Sequence, residues 1–279
     1  MTATHGAVAF GPRLAVTPTG NLRGVLMVKP SEKIESAKPL IGEPGAVYAR
    51  ALEQHSALCK ILEYFGVEVT VLESRGSNGY EVAAGDAAVA FADGVVLMRP
   101  SVLSRRSEAD RMESEFSRLD VPLAGHIIAP GLLDGNDVML VGETAFVGIG
   151  ERGNELGRSG FTQLARSHGY RAVEVRLAPG VSALRAVAGA VKSDTIVVGA
   201  DKADLSAFAG FKTIELERGE EQAAGVLCLD EGHVIADIRY RTALSTMRRA
   251  GIAVEALDLY DFGKLGISPS MLTLVLRRE

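Results

Sequence analysis

Five short apolar segments recur along the chain and constrain its fold more than any other feature. Two of them, 24–31 (GVLMVKPS) and 94–101 (GVVLMRPS), are near copies, and three more lie at 144–150, 194–199 and 233–238. Their spacing of roughly 40 to 70 residues is typical of internal repeats. Each segment is rich in β-forming residues and is followed by a turn and a helical pattern. We therefore predict an α/β fold built from five similar units in a pseudo-symmetric array.

Helices are predicted between these segments, where apolar residues recur at helical spacing. The clearest helix covers 47–65, and Gly66 ends it before a strand at 67–73. No linker rich in proline or serine divides the chain, so we expect 1–279 to form a single domain, with 1–20 as a peripheral N-terminal segment. The remaining helices are predicted at 105–119, 154–167, 182–191 and 243–250.

Composition excludes several classes of function. Hydrophobic residues make up 47% of the chain and charged residues 23%, the balance of a folded globule. The formal charge is -5 and the basic residues are scattered, so we expect no nucleic-acid partner. No apolar run has the length of a membrane span. Residues 1–13 lack the features of a secretory signal, and two cysteines make no disulfide framework, so we expect a soluble cytoplasmic protein.

A glycine-rich turn at 148–153 (GIGERG) is the most conspicuous local motif. It matches GxGxxG after a predicted strand and before a predicted helix, with Glu174 about 20 residues further on, as in a dinucleotide site. Such glycines let a pyrophosphate approach the helix N-terminus, while the acid holds a ribose hydroxyl. The plainer interpretation is that Gly148 and Gly150 only turn the chain. Dinucleotide binding therefore stands as one alternative function.

The order of motifs over the whole chain is more specific than any single motif. The segments at 43–73, 85–108, 133–157, 184–198 and 258–276 resemble, in order and spacing, those of the dimethylargininases. That family lies in the guanidine-modifying superfamily with arginine deiminases and amidinotransferases. The resemblance covers roughly residues 20–279 and implies a five-bladed ββαβ α/β propeller, the pentein fold. It also implies an amidinohydrolase, in which a thiolate attacks the guanidinium carbon and a histidine handles protons.

Several site residues of that family have counterparts in this sequence. By resemblance, Asp86 in GDAAV and Asp134 in LDGND match its acidic residues, while Arg105 in LSRRSE and Arg152 in GERGN match arginines that hold the substrate's carboxylate. A planar guanidinium suits that task. The plain alternative is that both arginines are solvated residues at helix starts and Asp137 is a turn residue.

The residues that the family's chemistry needs are missing. The nucleophilic cysteine falls at Met271 in SPSMLTLVL, and the histidine at Ala183, or at Ser182 if the register slips by one. The family's guanidinium-binding acids fall at Tyr80 and Gly85. A thioether cannot supply the attacking thiolate.

We therefore expect a catalytically degenerate protein that binds a small carboxylate or amino-acid ligand, with no cofactor and no metal. A C–N hydrolase with relocated groups, Asp86, Asp134 and His233, is the enzymatic alternative. A homodimer is left open. Cys59 and Cys228 are expected to be buried packing residues.

Overall fold

Five three-stranded sheets make up the architecture of the computed structural model, which describes residues 14–39 and 45–279. Every sheet has an inner strand antiparallel to a middle strand, and an outer strand parallel to the middle one. In chain order the strands are β1 (Leu22–Val28), β2 (Glu68–Leu72), β3 (Ala88–Ala90), β4 (Val95–Leu97), β5 (Leu123–His126), β6 (Val138–Val141), β7 (Thr144–Ile149), β8 (Arg171–Arg176), β9 (Ala188–Lys192), β10 (Thr195–Gly199), β11 (Lys212–Leu216), β12 (Leu227–Asp230), β13 (His233–Asp237), β14 (Ala253–Leu257) and β15 (Thr273–Arg278).

The repeat seen in the sequence corresponds to the sheets one for one. The five recurring segments form the middle strands, which are β1, β4, β7, β10 and β13. These strands are almost wholly buried because they have a neighbour on each side and packing on both faces. The predicted five-unit array is therefore confirmed, and its most apolar element lies at the centre of each unit.

Connections from the middle to the outer strand carry the main helices. They are α1 (Tyr48–Tyr64), α2 (Arg106–Arg118), α3 (Glu155–Ser167) and α5 (Arg241–Arg249), all close to the predicted bounds. The unit of β10 and β11 has instead a short 3-10 helix, Leu205–Phe208. At the end of α1, Gly66 takes a positive φ of 76°, a conformation that suits glycine. Two shorter helices are α4 (Leu184–Val187) and α6 (Tyr260–Lys264).

The helix predicted at 182–191 is wrong over most of its length. Only α4 is helical there, and the chain then continues as β9, which pairs antiparallel with β10. The run of alanines and valines suits either structure, and pairing with a buried neighbouring strand decides the outcome.

The N-terminal part of the described chain is built into the fold. Leu14 is fully buried, its N–H donates to Ala92 O, and the Val16 N–H donates to Arg278 O beside β15. Residues 1–13 of the segment predicted as peripheral lie outside the described residues. None of the helices in the described ranges is long and apolar enough to cross a lipid bilayer.

Candidate functional site

Two cavities lie along the axis around which the sheets are arranged. The narrow cavity, of about 120 Å³, is lined by one inner strand from every sheet, namely β3, β6, β9, β12 and β15. The wide cavity, of about 680 Å³, lies beyond the turns that lead into those strands and is lined by Asp86, Arg105, Arg152 and Met271 among others.

A thin partition of side chains and turns separates the two cavities. Arg185 Nη1 donates to Asn136 Oδ1 over 3.0 Å, and Arg185 Nη2 donates to Ser270 O. Gly85 completes the layer, because its N–H donates to Met271 O over 3.1 Å. A Cβ at Gly85 would lie 2.8 Å from Arg185 Nη1 and would overlap Asn136 Oδ1. Glycine at position 85 is therefore required by the packing of Arg185.

Asp86 joins the two predicted carboxylate-binding arginines. Its Oδ2 accepts from Arg105 Nη1 over 2.5 Å and from Arg152 Nη2 over 2.7 Å. Burial alone would raise the pKa of Asp86, but Arg152 and Arg105 hold it well below its usual range. The Nε and Nη2 atoms of Arg105 donate to Glu108. The structure thus brings Asp86, Arg105 and Arg152 together, with the carboxylate of Asp86 hydrogen-bonded to both arginines.

The interpretation of the arginines as solvated helix-start residues is wrong. Arg105 is 3% exposed, and Arg152 keeps 21% of its side chain exposed, toward the wide cavity that it lines. Arg152 Nη1 also donates to Ser182 O, and Arg152 Nη2 forms an ion pair with Asp134. Buried arginines need acceptors and counter-charge, and this cluster supplies both.

Two further acids lie behind Arg152. Asp134 Oδ1 accepts from the Ser101 N–H, and Asp137 Oδ1 accepts from the Leu184 N–H over 3.0 Å. Burial and the negative charge of Asp86 raise the pKa of Asp134 to about 6, while burial raises that of Asp137 to about 7. Asp137 lies in the 3-10 turn Gly135–Asp137, in agreement with the plain alternative, but it is buried and its carboxylate anchors α4.

Met271 and Ala183, which the resemblance places at the nucleophile and the base, are both apolar and buried. Met271 is 1% exposed at the edge of the wide cavity, and Ala183 is fully buried. The described residues that line the wide cavity include no cysteine and no histidine. Cys59 lies on α1 and Cys228 on β12, and burial raises the pKa of each thiol to about 11, so neither is a thiolate at neutral pH.

Positive charge dominates the lining of the wide cavity. Lys33, Lys38, Arg105 and Arg152 line it, against the carboxylates of Asp86 and Glu151. Tyr80, which also lines the cavity, donates its hydroxyl hydrogen to Lys38 O over 2.8 Å. The cavity therefore favours an anionic group over a guanidinium.

The glycine-rich turn has a structural explanation. A Cβ at Gly148 would lie 3.0 Å from Asp137 Oδ1 and 3.1 Å from Leu177, so close packing requires glycine there. Glu174, the proposed ribose ligand, pairs with Arg158 over 2.9 Å. The turn contributes Arg152 to the site. The close packing at Gly148 and the pairing of Glu174 favour the interpretation as a simple chain turn over dinucleotide binding.

The relocated catalytic group with His233 is not assembled. His233 begins β13, with Nε2 at 2.9 Å from Glu255 and Nδ1 at 3.6 Å from Asp230, and it makes no described contact with Asp86 or Asp134. Within 14–39 and 45–279 no three His, Cys, Asp or Glu side chains are grouped to hold a metal ion.

Sequence reasoning missed Arg185, Glu108 and the two lysines of the wide cavity. Arg185 lies two residues after Ala183, within a segment that the motif order had already singled out. Glu108 lies three residues after Arg105, a spacing at which side chains on a helix meet. The lysines come from a distant turn, and only the tertiary fold brings them to the cavity.

Known proteins resemble this chain both in sequence and in fold. The chain is 26% identical over 234 residues to an N(G),N(G)-dimethylarginine dimethylaminohydrolase of Pseudomonas aeruginosa, covering 84% of this chain and 91% of the relative. A structure of that enzyme from P. aeruginosa complexed with citrulline superposes with a TM-score of 0.83 at 23% identity, covering 91% and 99% of the two chains. SxtG, an amidinotransferase from Microseira wollei, superposes with a TM-score of 0.81 at 14% identity, covering 96% and 98%. No family model matches the sequence.

Proposed function

Because this chain is a homologue of the dimethylarginine dimethylaminohydrolases and has the pentein fold, we propose that it binds a small amino-acid-like carboxylate in the wide cavity without hydrolysing it by the thiolate mechanism. One observation carries the proposal. The cavity retains charged groups suited to an amino acid, while its described lining offers neither a thiolate nor an imidazole.

The carboxylate of the ligand is assigned to the cationic side of the wide cavity. Arg152 is the partly exposed member of the arginine pair, whereas Arg105 is sequestered by Asp86 and Glu108. Lys33 and Lys38 are exposed at the same cavity. An incoming carboxylate therefore meets Arg152 and the lysines, and Arg105 acts through Asp86 as a positioning residue.

The ammonium group of the ligand is assigned to Asp86. Asp86 Oδ1 is buried and has no hydrogen-bond partner among the described residues, while Oδ2 serves both arginines. An unpaired carboxylate oxygen in a buried setting is costly, and a ligand ammonium would satisfy it. A citrulline complex is known for the relative from P. aeruginosa, so citrulline and arginine are the first ligands to test.

Isothermal titration with L-citrulline, L-arginine, L-ornithine and methylated arginines tests binding. We expect saturable binding of at least one, weakened at least tenfold by Arg152→Ala. Arg218→Ala is the matched control, because Arg218 is 81% exposed and pairs with Asp201 outside the cavity. Absence of binding by all of these amino acids, or equal loss in the control, would contradict the proposal.

Catalysis is tested separately by following citrulline formation from methylated arginines with mass spectrometry. We expect no turnover above the rate in buffer. Hydrolysis that is lost in Asp134→Asn and follows a bell-shaped pH profile would instead support the alternative of a C–N hydrolase with relocated groups.

A further inference from the structure

The walls of the narrow cavity carry two arginines that form no salt bridge with a described carboxylate. Arg278, from β15, is 3% exposed, Arg185, from α4, is partly buried, and both residues line the cavity. In the described part of the chain neither guanidinium forms a salt bridge within 4.0 Å of an acidic side chain. Burial lowers the pKa of Arg185 to about 10; the charge of Asp86 opposes this shift, and the nearby charge of Arg278 adds to it. Both cations persist at neutral pH.

Neutral groups satisfy only part of each guanidinium. Arg278 Nη1 donates to Gly20 O over 2.5 Å and Arg278 Nη2 to Cys228 O over 2.7 Å. Arg185 donates to Asn136 Oδ1 and Ser270 O in the partition. A guanidinium has five N–H donors, so these contacts leave donors for the cavity.

The acidic groups near Arg278 are engaged elsewhere. Glu231 accepts from the Thr19 hydroxyl and from the Ser193 N–H, and Asp230 lies 3.6 Å from His233. Cys228 lines the cavity, but burial raises the pKa of its thiol to about 11, so it carries no negative charge at neutral pH. Two buried cations that no carboxylate contacts are unfavourable unless an anion joins them.

We propose that the narrow cavity binds a small inorganic oxyanion, with Arg185 and Arg278 as its ligands. Guanidinium groups match the oxygens of phosphate and sulfate in pairs. The inner strands leave room for such an ion because they present small residues, including Ala88, Gly189 and Ala190. At about 120 Å³, the space suits a tetrahedral oxyanion with water and is much smaller than the wide cavity.

Thermal unfolding with inorganic phosphate or sulfate, at constant ionic strength, tests the site. An ion that binds only the folded protein raises the midpoint, by about 2–3 °C at tenfold its Kd for a chain of this size. We expect a saturable rise in the midpoint. We also expect Arg278→Gln and Arg185→Gln each to weaken the affinity for the ion at least tenfold. A rise absent in the unmodified protein, or unchanged in both variants, would overturn the proposal.

The wide cavity also contains cations, so the test must separate the two cavities. We expect Arg152→Gln and the exposed control Arg218→Gln to keep the phosphate response. A response lost in Arg152→Gln and kept in Arg278→Gln would place the ion in the wide cavity and reject the narrow one.

The ion can also be located in the unmodified protein, so this second test holds even if the variants fail to fold. Crystals of the unmodified protein grown with sodium selenate, an oxyanion with an anomalous signal, should show a selenium peak beside Arg185 and Arg278. No peak in the narrow cavity at saturating selenate would refute the site.

Discussion

The wide and narrow cavities each contain two arginines, but the chain neutralises only one of the pairs. Beside the wide cavity, Arg105 and Arg152 share Asp86, and Glu108 and Asp134 add further negative charge. In the narrow cavity, Arg185 and Arg278 contact only carbonyl and amide oxygens in the described chain. A buried arginine alone therefore says little about ligand binding. The identity of its partners distinguishes an internal cluster from a site that requires an anion.

The largest expected effect is at Asp86, the carboxylate that Arg105 and Arg152 share. Asp86→Asn leaves Arg105 and Arg152 without their shared counter-charge, and breaking a buried pair in this way costs about 3–5 kcal/mol. Urea unfolding at pH 7 measures the loss. Asp201→Asn, which breaks an exposed pair with Arg218, should change the midpoint very little. Equal, small effects in both variants would show that water already compensates the buried arginines.

The next effect is expected at Gly85, in the partition between the cavities. In Gly85→Ala the new methyl group must displace Arg185 or Asn136, and such overpacking costs about 1–3 kcal/mol. Gly160→Ala is the control, because nothing lies nearer than 4.0 Å to its Cβ and alanine favours the helix α3 by up to about 1 kcal/mol. Unfolding of both variants gives the comparison. A neutral Gly85→Ala would mean that Arg185 is free to move.

Sequence reasoning predicted the fold far better than the charge balance of the site. The recurring apolar segments identified all five middle strands, because burial on both faces leaves a continuous apolar run. The resemblance named Asp86, Arg105 and Arg152 as candidate site residues, and the structure brings them together. It could not show that Arg105 is enclosed by Glu108, or that Arg278 lacks a carboxylate. These properties depend on distances between side chains of different units, which no local pattern encodes.

The pH dependence of stability tests the two buried acids behind Arg152, Asp134 and Asp137. Burial raises the pKa of Asp137 to about 7, so the folded protein keeps a proton that the unfolded chain releases near pH 4. The stability that Asp137 contributes is complete below about pH 4 and is lost as the pH rises toward 7. Asp134, with a pKa of about 6, acts in the same direction. Each group contributes a slope of up to about 1.4 kcal/mol per pH unit.

Asp137→Asn isolates this effect, because its amide oxygen can still accept from the Leu184 N–H. The measured quantity is the difference between the variant and the unmodified protein from pH 5 to 7. His55 acts in the opposite direction, since burial lowers its pKa to about 4, and the difference removes its contribution. Parallel curves for the two proteins would show that Asp137 is already ionised at pH 5.

The smallest effect is expected at Met271, where the partition faces the wide cavity. Met271→Leu conserves volume in a buried position, so it should change the free energy of unfolding by less than about 1.5 kcal/mol and leave the Kd for citrulline unchanged. Met271→Cys adds a thiol but no neighbouring histidine, so it should also leave methylated arginines intact. A loss of binding in Met271→Leu as large as that in Arg152→Ala would show that the thioether itself contacts the ligand. Recognition would then depend on the apolar side of the cavity as much as on its charges.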